Sequence, residues 1–388
     1  MSAAESTTGR AYIAGAFEHP TRLATEQSVA QLHAEVAQGA LLDAGLSIGD
    51  VDAYYTADAP GLGPMAIVEH LGIKPRIVDS TDVGGSSYLL HVNHAAQAIA
   101  AGKCNVALIT LAGRPRAEGK MTVASKFAGP DVGFESPYRS QVVSMYALAA
   151  ARHMYEYGTT SEQLAWIKVA ASTHAQHNER ALLRNLVTVE EVVNSPMVAD
   201  PLHRLDCCVI TDGGGALVVV NAEIAKSLSR PRVKVRGAGE AVKHIHGGYP
   251  EMTSSAAAVS GMAAFAEAGV TPADIKCACV YDSFTITVLI ALEDLGFCPK
   301  GRGGQFVSDG NLISGVGKLP FNTDGGGLCN NHPSNRGGMT KIIEAVRQVR
   351  GEAHPHVQVP NCDLALAHGT GGWISSRHAS ATLILERA

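Results

Sequence analysis

Apolar positions at helical spacing lead into Gly45 in "ALLDAGLSIGDVDAYYTADAP" (40–60), where a short acid-capped turn gives way to a β-rich run. Glycine suits that boundary because it takes a positive φ without a Cβ clash. The same order returns in "AFAEAGVTPADIKCACVYDSF" (264–284): Ala44-Gly45 matches Ala268-Gly269, and Asp50 matches Asp274. The run through Cys277 and Cys279 to Tyr281 is apolar almost throughout, the pattern of a strand covered on both faces. "STDVGGSSYLLHVNHAAQAIAAGKCNVALIT" (80–110) reads as a strand end, a glycine turn, a helix with one buried face and a second strand.

Two further blocks recur. "STDVGG" (80–85) pairs with "NTDGGG" (322–327), each followed by a helical segment, and "KCNVALIT" (103–110) pairs with "NCDLALAH" (361–368), setting Cys104 against Cys362. Three blocks in one order predict an internal duplication. Strands alternating with helices predict a layered α/β unit with a partly parallel sheet. The halves are expected at 1–225 and 226–388. Residues 114–200 hold helical patterns such as "SQVVSMYALAAARHMYEYG" and are expected to form an insertion lying over the site; "PLHRLDCCVITDGGGALVVVNAE" (201–223) then completes the first half.

Composition narrows the function class. A chain of 388 residues, 46% hydrophobic, can bury a large core. Only 17% of residues are charged, the net charge is −5 and the basic residues are scattered, so neither nucleic acid nor a membrane surface is an expected partner. No apolar run reaches the roughly 20 residues that span a bilayer. The opening "MSAAESTTGRAYIAG" lacks the features of a secretory signal. Eight cysteines without a CxxC pair read as buried free thiols in a reducing cytoplasm. The glycine clusters 213–215, 325–327 and 371–372 do not follow a first strand as G-x-G-x-x-G and read as tight turns. His203, His244 and His246 offer only an HxH spacing, a poor metal signal, and no metal or bound cofactor is expected.

Across essentially its whole length the chain resembles the thiolase superfamily, most of all the sterol-carrier and lipid-transfer-protein thiolases. "DPLHRLDCCVITDGGGALVVV" is similar to the family's strand-and-turn block after its loop domain. "VYDSF" (280–284) occupies the place of the Asn-Glu-Ala-Phe motif, "GGGLCNNHPSNRGGM" (325–339) resembles the Gly-His-Pro block, and "HGTGG" (368–372) stands where the family has Cys-x-Gly. The resemblance implies the duplicated five-layer α-β-α-β-α thiolase fold, coenzyme A thioesters as substrates and a homodimer across the strand before Asp82.

A thiolase needs a thiolate nucleophile at a helix N-terminus and a second cysteine to shuttle protons. Here those positions hold Asp82 and His368, and the Asn-Glu pair has become Tyr281-Asp282; only His332 is kept in type. Such departures resemble thiolase-like aldolases that cleave steroid side chains as acyl-CoA thioesters, a group that works with a small partner subunit of zinc-ribbon and OB fold. Retro-aldol cleavage of a β-hydroxyacyl-CoA needs a base for the hydroxyl proton and stabilisation of the departing enolate, and no acyl-enzyme.

The expected roles follow. Tyr281, with its phenol pKa lowered from about 10, handles protons; His332 stabilises the enolate; His368 supplies the proton to carbon; Asp82 orients groups at the helix start. Each has a structural alternative: a packing tyrosine, a capping histidine, a core histidine and a helix-start carboxylate. Cys208, Thr211, Asp282 and Gly371 are candidates for substrate or coenzyme A contact, Asp282 also for support of the turn around Tyr281 together with Ser283. The rival readings are thiolase-type Claisen chemistry with Cys329 recruited as nucleophile, and a silent subunit that binds acyl-CoA or lipid.

Overall fold

The computed structural model describes residues 10–57, 59, 61–119, 133, 137, 141–243, 251–334 and 336–388. In the first half, β1 (Ala11–Glu18) and α1 (Val29–Ala44) precede β2 (Ala53–Thr56), α2 (Pro64–Leu71) and β3 (Ile77–Asp79). Then come α3 (Ser87–Ala100) and β4 (Val106–Gly113), the helices α4 (Val142–Tyr157) and α5 (Ser161–Ala175), a small hairpin of β5 (Met197–Ala199) and β6 (Leu202–His203), and β7 (Gly213–Asn221). The second half runs β8 (Val233–Lys243), α6 (Ala257–Ala268), β9 (Cys277–Val280), α7 (Thr285–Asp294), α8 (Gly338–Arg350), β10 (Leu364–Trp373) and β11 (Ser376–Arg387).

The repeated grammar is built from the same parts twice. Gly45 ends α1 at φ 70° and Gly269 ends α6 at φ 65°. In the turns that follow, Asp50 and Asp274 accept from the backbone N–H of Ser47 and Thr271, each at 2.8 Å, so the paired acids close reciprocal caps. The second glycine block behaves differently from the first. Gly84–Ser86 runs straight into α3, whereas Gly326–Cys329 forms a single helical turn, and the long helix α8 starts only at Gly338. His332 lies in the interruption.

The strands form one nine-stranded sheet in the order β3-β2-β4-β7-β1-β8-β11-β10-β9. Strands of the first repeat lie on one side of the β1–β8 junction and those of the second on the other; the junction consists of Tyr12 opposite Lys234 and Ile13 opposite Val233. β2 runs parallel to β3 and β4, and β9 parallel to β10. A parallel bridge from Ala278 to Phe321 flanks β9 as β3 flanks β2.

Helices α3 and α8 lie between the two half-sheets: Leu89, Val92, Met339 and Ile342 share a core with Ile13 and Leu217 of one and Ala367 and Leu383 of the other. Outside the first half-sheet, Val36 and Leu41 of α1 pack on Tyr54, Leu108 and Val218. Outside the second, Ala264 of α6, Leu289 of α7 and Ile167 of α5 pack on Ala278, Leu366 and Ile384. The result is the expected α-β-α-β-α layering, driven by helices with apolar faces that need a sheet to cover. Truncating Ile342, fully buried in the middle layer, to alanine would cost about 2–5 kcal/mol.

One polar link joins the halves at the edge. His94 of α3 lies 2.7 Å from Asp79 of β3 through Nδ1 and 3.5 Å from Glu240 of β8 through Nε2. The two carboxylates raise the His94 pKa to about 9, against partial desolvation, while the His94 contact holds Asp79 below the ordinary carboxylate range. A histidine whose folded pKa is raised contributes stability that is complete below its unfolded value near 6.5 and disappears as pH climbs through 9. Thermal melts should therefore fall in Tm across that window. His94→Gln should flatten that part of the profile; an unchanged slope would show that the link contributes nothing.

Candidate active site

Tyr281 leaves the end of β9, where its backbone N–H donates to the carbonyl of His368 at 3.0 Å. Side chains alternate along a strand, and Cys277 and Cys279 face the middle layer; Tyr281 follows in that sense. Its ring is 5% exposed and lies against Gly85, where any Cβ would overlap it. Glycine at 85 is thus what lets the first-half turn approach the second-half tyrosine. The Tyr281 hydroxyl is 2.9 Å from Nε2 of His332, receives the N–H of Gly337 at 3.4 Å, and the two rings meet edge to face at 5.4 Å.

His332 is held by its own backbone and its neighbours. Its N–H donates to Thr211 Oγ1 at 2.9 Å, and that hydroxyl donates to Asn331 Oδ1 at 2.5 Å. Asn331 in turn donates to Glu18 at 2.8 Å. Burial alone would raise the Glu18 pKa, yet Arg22, Arg347 and Asn331 overcome it and hold the carboxylate at about 2. The buried charge therefore persists and fixes the loop. On the far side of the imidazole, Nδ1 lies 3.6 Å from Cys208 Sγ.

Asp282 sets the adjoining turn. It is fully buried, accepts the N–H groups of Gly327 at 2.9 Å and Leu328 at 3.2 Å, and lies 2.6 Å from Lys341 Nζ of α8. Burial would lower the Lys341 pKa, but Asp282 and Asp324 beside it hold it above the ordinary lysine value. Gly325 and Gly326, at φ 96° and 58°, are needed here, and a Cβ on Gly326 would overlap the Asp282 carboxylate.

Several expectations change at this point. The phenol of Tyr281 is not made acidic: burial, with Cys208 and Tyr146 adding to it, raises its pKa well above 10, and Gly337 N–H and Arg336 offset only part. His368 is not brought to the Tyr281–His332 pair. It occupies the opposite face of β10 from Ala367, with Nδ1 2.9 Å from Thr382 Oγ1, and Thr382 reaches Ser260 of the outer helix α6 at 3.0 Å. Burial and the neighbouring His378 lower its pKa to about 3, so it stays neutral at physiological pH. Strand parity explains the change: a residue one step along β10 faces the other layer.

Asp82 sits at the turn before α3, 42% exposed, with both carboxylate oxygens on Arg336, at 2.5 and 3.0 Å. It also accepts the N–H of Gly84 at 3.0 Å. The ion pair clasps the first-half turn to the loop after His332. Thr211 and Asp282 are fully buried and their polar atoms are engaged by the loop and by Lys341. Gly371 packs on the carbonyl of Val83, where a Cβ would clash. Cys329 is buried in the turn 326–329, and burial raises its thiol pKa; the thiol that lies against His332 is Cys208. His203 lies 3.7 Å from Asp206, while His244 and His246 lie outside the described residues, as does most of 120–140 in the expected lid.

Sequence reasoning missed Arg336 and Tyr146. Arg336 stands four residues beyond His332, a spacing that carries no signal without the loop's path. Tyr146, on α4, reaches over to donate to the Gly372 carbonyl at 3.2 Å, and its ring lies 4.6 Å from that of Phe284, tilted by 34°. Nothing in the helical pattern of 142–157 distinguishes it from the other tyrosines there. No helix among the described residues is long and apolar enough to cross a membrane.

Residues 239–387 match the family model described as Thiolase C-terminal domain-like. The chain is 35% identical over 370 residues to a steroid side-chain-cleaving aldolase of Thermomonospora curvata, covering 88% of this chain and 91% of that one. It is 34% identical over 348 residues to an acetyl-CoA acetyltransferase of Methanothermobacter thermautotrophicus, covering 87% and 90%. Among solved structures, the Ltp2-ChsH2(DUF35) aldolase superposes with a TM-score of 0.88 at 32% identity, covering 98% of each chain.

Breaking the buried pair tests the account of the turn. Asp282→Asn leaves the buried Lys341 without its contact partner and with Asp324 alone as counter-charge, and should destabilise the fold by about 3–5 kcal/mol in denaturant unfolding. A loss below about 1 kcal/mol would mean that the pair does not hold the turn.

Proposed function

The chain belongs to the thiolase superfamily, in its lipid-transfer and sterol-carrier thiolase-like branch, and on that basis we propose that it cleaves a β-hydroxyacyl-CoA by a retro-aldol reaction, without an acyl-enzyme. The observation that carries this reading is the 2.9 Å contact between a neutral Tyr281 phenol and His332 Nε2, beside a turn whose nucleophile position holds an ion-paired carboxylate.

A phenol with a raised pKa is not a phenolate waiting to act as base, but it can relay a proton. The substrate's β-hydroxyl proton passes to the Tyr281 oxygen as the Tyr281 proton passes to Nε2 of His332. The Cα–Cβ bond breaks, its electron pair forms the thioester enolate, and the β-carbon becomes a ketone or aldehyde. The proton stored on His332 returns through Tyr281 to the enolate carbon, giving the shortened acyl-CoA. One pair thus serves as base and acid, and His368 is not required. Asp82 and Arg336 hold the two turns together around that pair and offer no nucleophile for thiolysis.

The Thermomonospora relative is named for steroid side chains, and a bulky cyclic acyl group is the substrate class proposed here. We also infer a homodimer and a small partner subunit of zinc-ribbon and OB fold; the similar solved aldolase is described with a second component, ChsH2(DUF35). A cytoplasmic setting accords with eight free cysteines, most of them buried.

Tyr281→Phe should reduce kcat/KM for cleavage by about 10²–10⁴-fold with an unchanged thermal melt. Mass spectrometry of the products from hydroxyacyl-CoA and ketoacyl-CoA panels, with and without a DUF35 partner, supplies the check. Two acyl-CoA products from a ketoacyl-CoA plus free coenzyme A would favour the acetyltransferase chemistry for which the archaeal relative is named.

A further inference from the structure

Cys208 takes no part in the proton path above, yet its Sγ lies 3.6 Å from Nδ1 of His332, the ring nitrogen not used by Tyr281. The main chain sets its place. Its N–H donates to the carbonyl of Ser283 at 2.9 Å, and the N–H of Val209 donates to Gly327 at 2.9 Å. The segment is thereby stitched to both turns that position the pair.

A neutral imidazole carries one ring proton, and the partner of one nitrogen decides the state of the other. For His332 to accept at Nε2, its own proton must sit on Nδ1 and point at Cys208. Sulfur accepts weakly, and burial keeps this thiol protonated, with Cys207 and Asp282 pushing its pKa the same way. A carboxylate in that place would trap charge on the ring, raising its pKa by about 1–3 units. The proton that the enolate carbon needs would then stay on His332.

We propose that Cys208 is a positioning residue: it accepts the Nδ1–H of His332, selects the tautomer whose Nε2 receives the Tyr281 proton, and, being uncharged, leaves the imidazolium acidic enough to give that proton back. The contact of Cys208 with the free side of the His332 ring stands on geometry; the tautomer and the return of the proton rest on the retro-aldol reading.

The test begins with nitrogen NMR of the full chain labelled at histidine, with His332 assigned by the signals lost in His332→Gln. The wild type should show Nδ1 protonated and Nε2 bare. Cys208→Ser should keep that tautomer, and Cys208→Ala should shift it toward Nε2–H. Cys208→Asp should raise the His332 pKa by about one unit or more and move the acid limb of kcat/KM upward by the same amount. Nε2–H in the wild type would overturn the tautomer assignment, whatever the variants do, and so would His332 signals indifferent to Cys208→Ala. An acid limb unmoved in Cys208→Asp would overturn the proton-return role. If the wild type shows the assigned tautomer but cleaves no hydroxyacyl-CoA, the retro-aldol reading fails while the tautomer assignment holds.

Discussion

The Asp282 carboxylate ties together the three segments on which the site depends. It follows Tyr281 at the end of β9, binds the N–H groups that open the turn at 326–329, and meets Lys341 on the helix that fills the middle layer. Fully buried, it is met there by a cation and two backbone amides. The tyrosine, the histidine loop and the central helix therefore cannot shift independently. Glu18 performs a matching service behind the same loop, where Arg22 and Arg347 neutralise it and Asn331 passes its hold on to His332.

Burial governs the chemistry as much as the shape. A tyrosine in water is already a poor base at neutral pH, and Tyr281 is poorer still because its desolvated site disfavours phenolate. In the proposed reaction its value lies in passing a proton to an imidazole 2.9 Å away rather than in holding a charge. The same desolvation silences His368 and the Cys329 thiol, which carry suitable chemistry in sequence but stand where charge cannot form. A nucleophile is absent at the helix start for a different reason. Asp82 is committed to Arg336, and the position that accepts acyl groups in thiolases here clasps one turn to another.

Much of the architecture was legible beforehand. Period-3.6 and apolar-run patterns repeated in order, with capping glycines and acids at matching places, and local physics of that kind is written in short stretches. The helix of 142–157, the paired strands at β2 and β9, and the glycine turns follow from it. The junction of β1 with β8 and the hairpin partner β11 were not legible, because pairing between distant strands leaves no local signature.

The sequence by itself determined that two α/β repeats would stack, that Tyr281 and His332 would end up at the repeats' glycine turns, and that no cysteine would stand at the helix start before α3. Those outcomes depend on residue type and spacing alone. Only the tertiary structure decided which candidates share a face. Strand parity sends His368 to the outer layer, the interruption before α8 brings His332 under Tyr281, and the fold sets Cys208, rather than Cys329, against the imidazole. Proximity and desolvation are properties of the packed chain, and the same side chain is an acid, a relay or an inert core residue according to the surface that packing gives it.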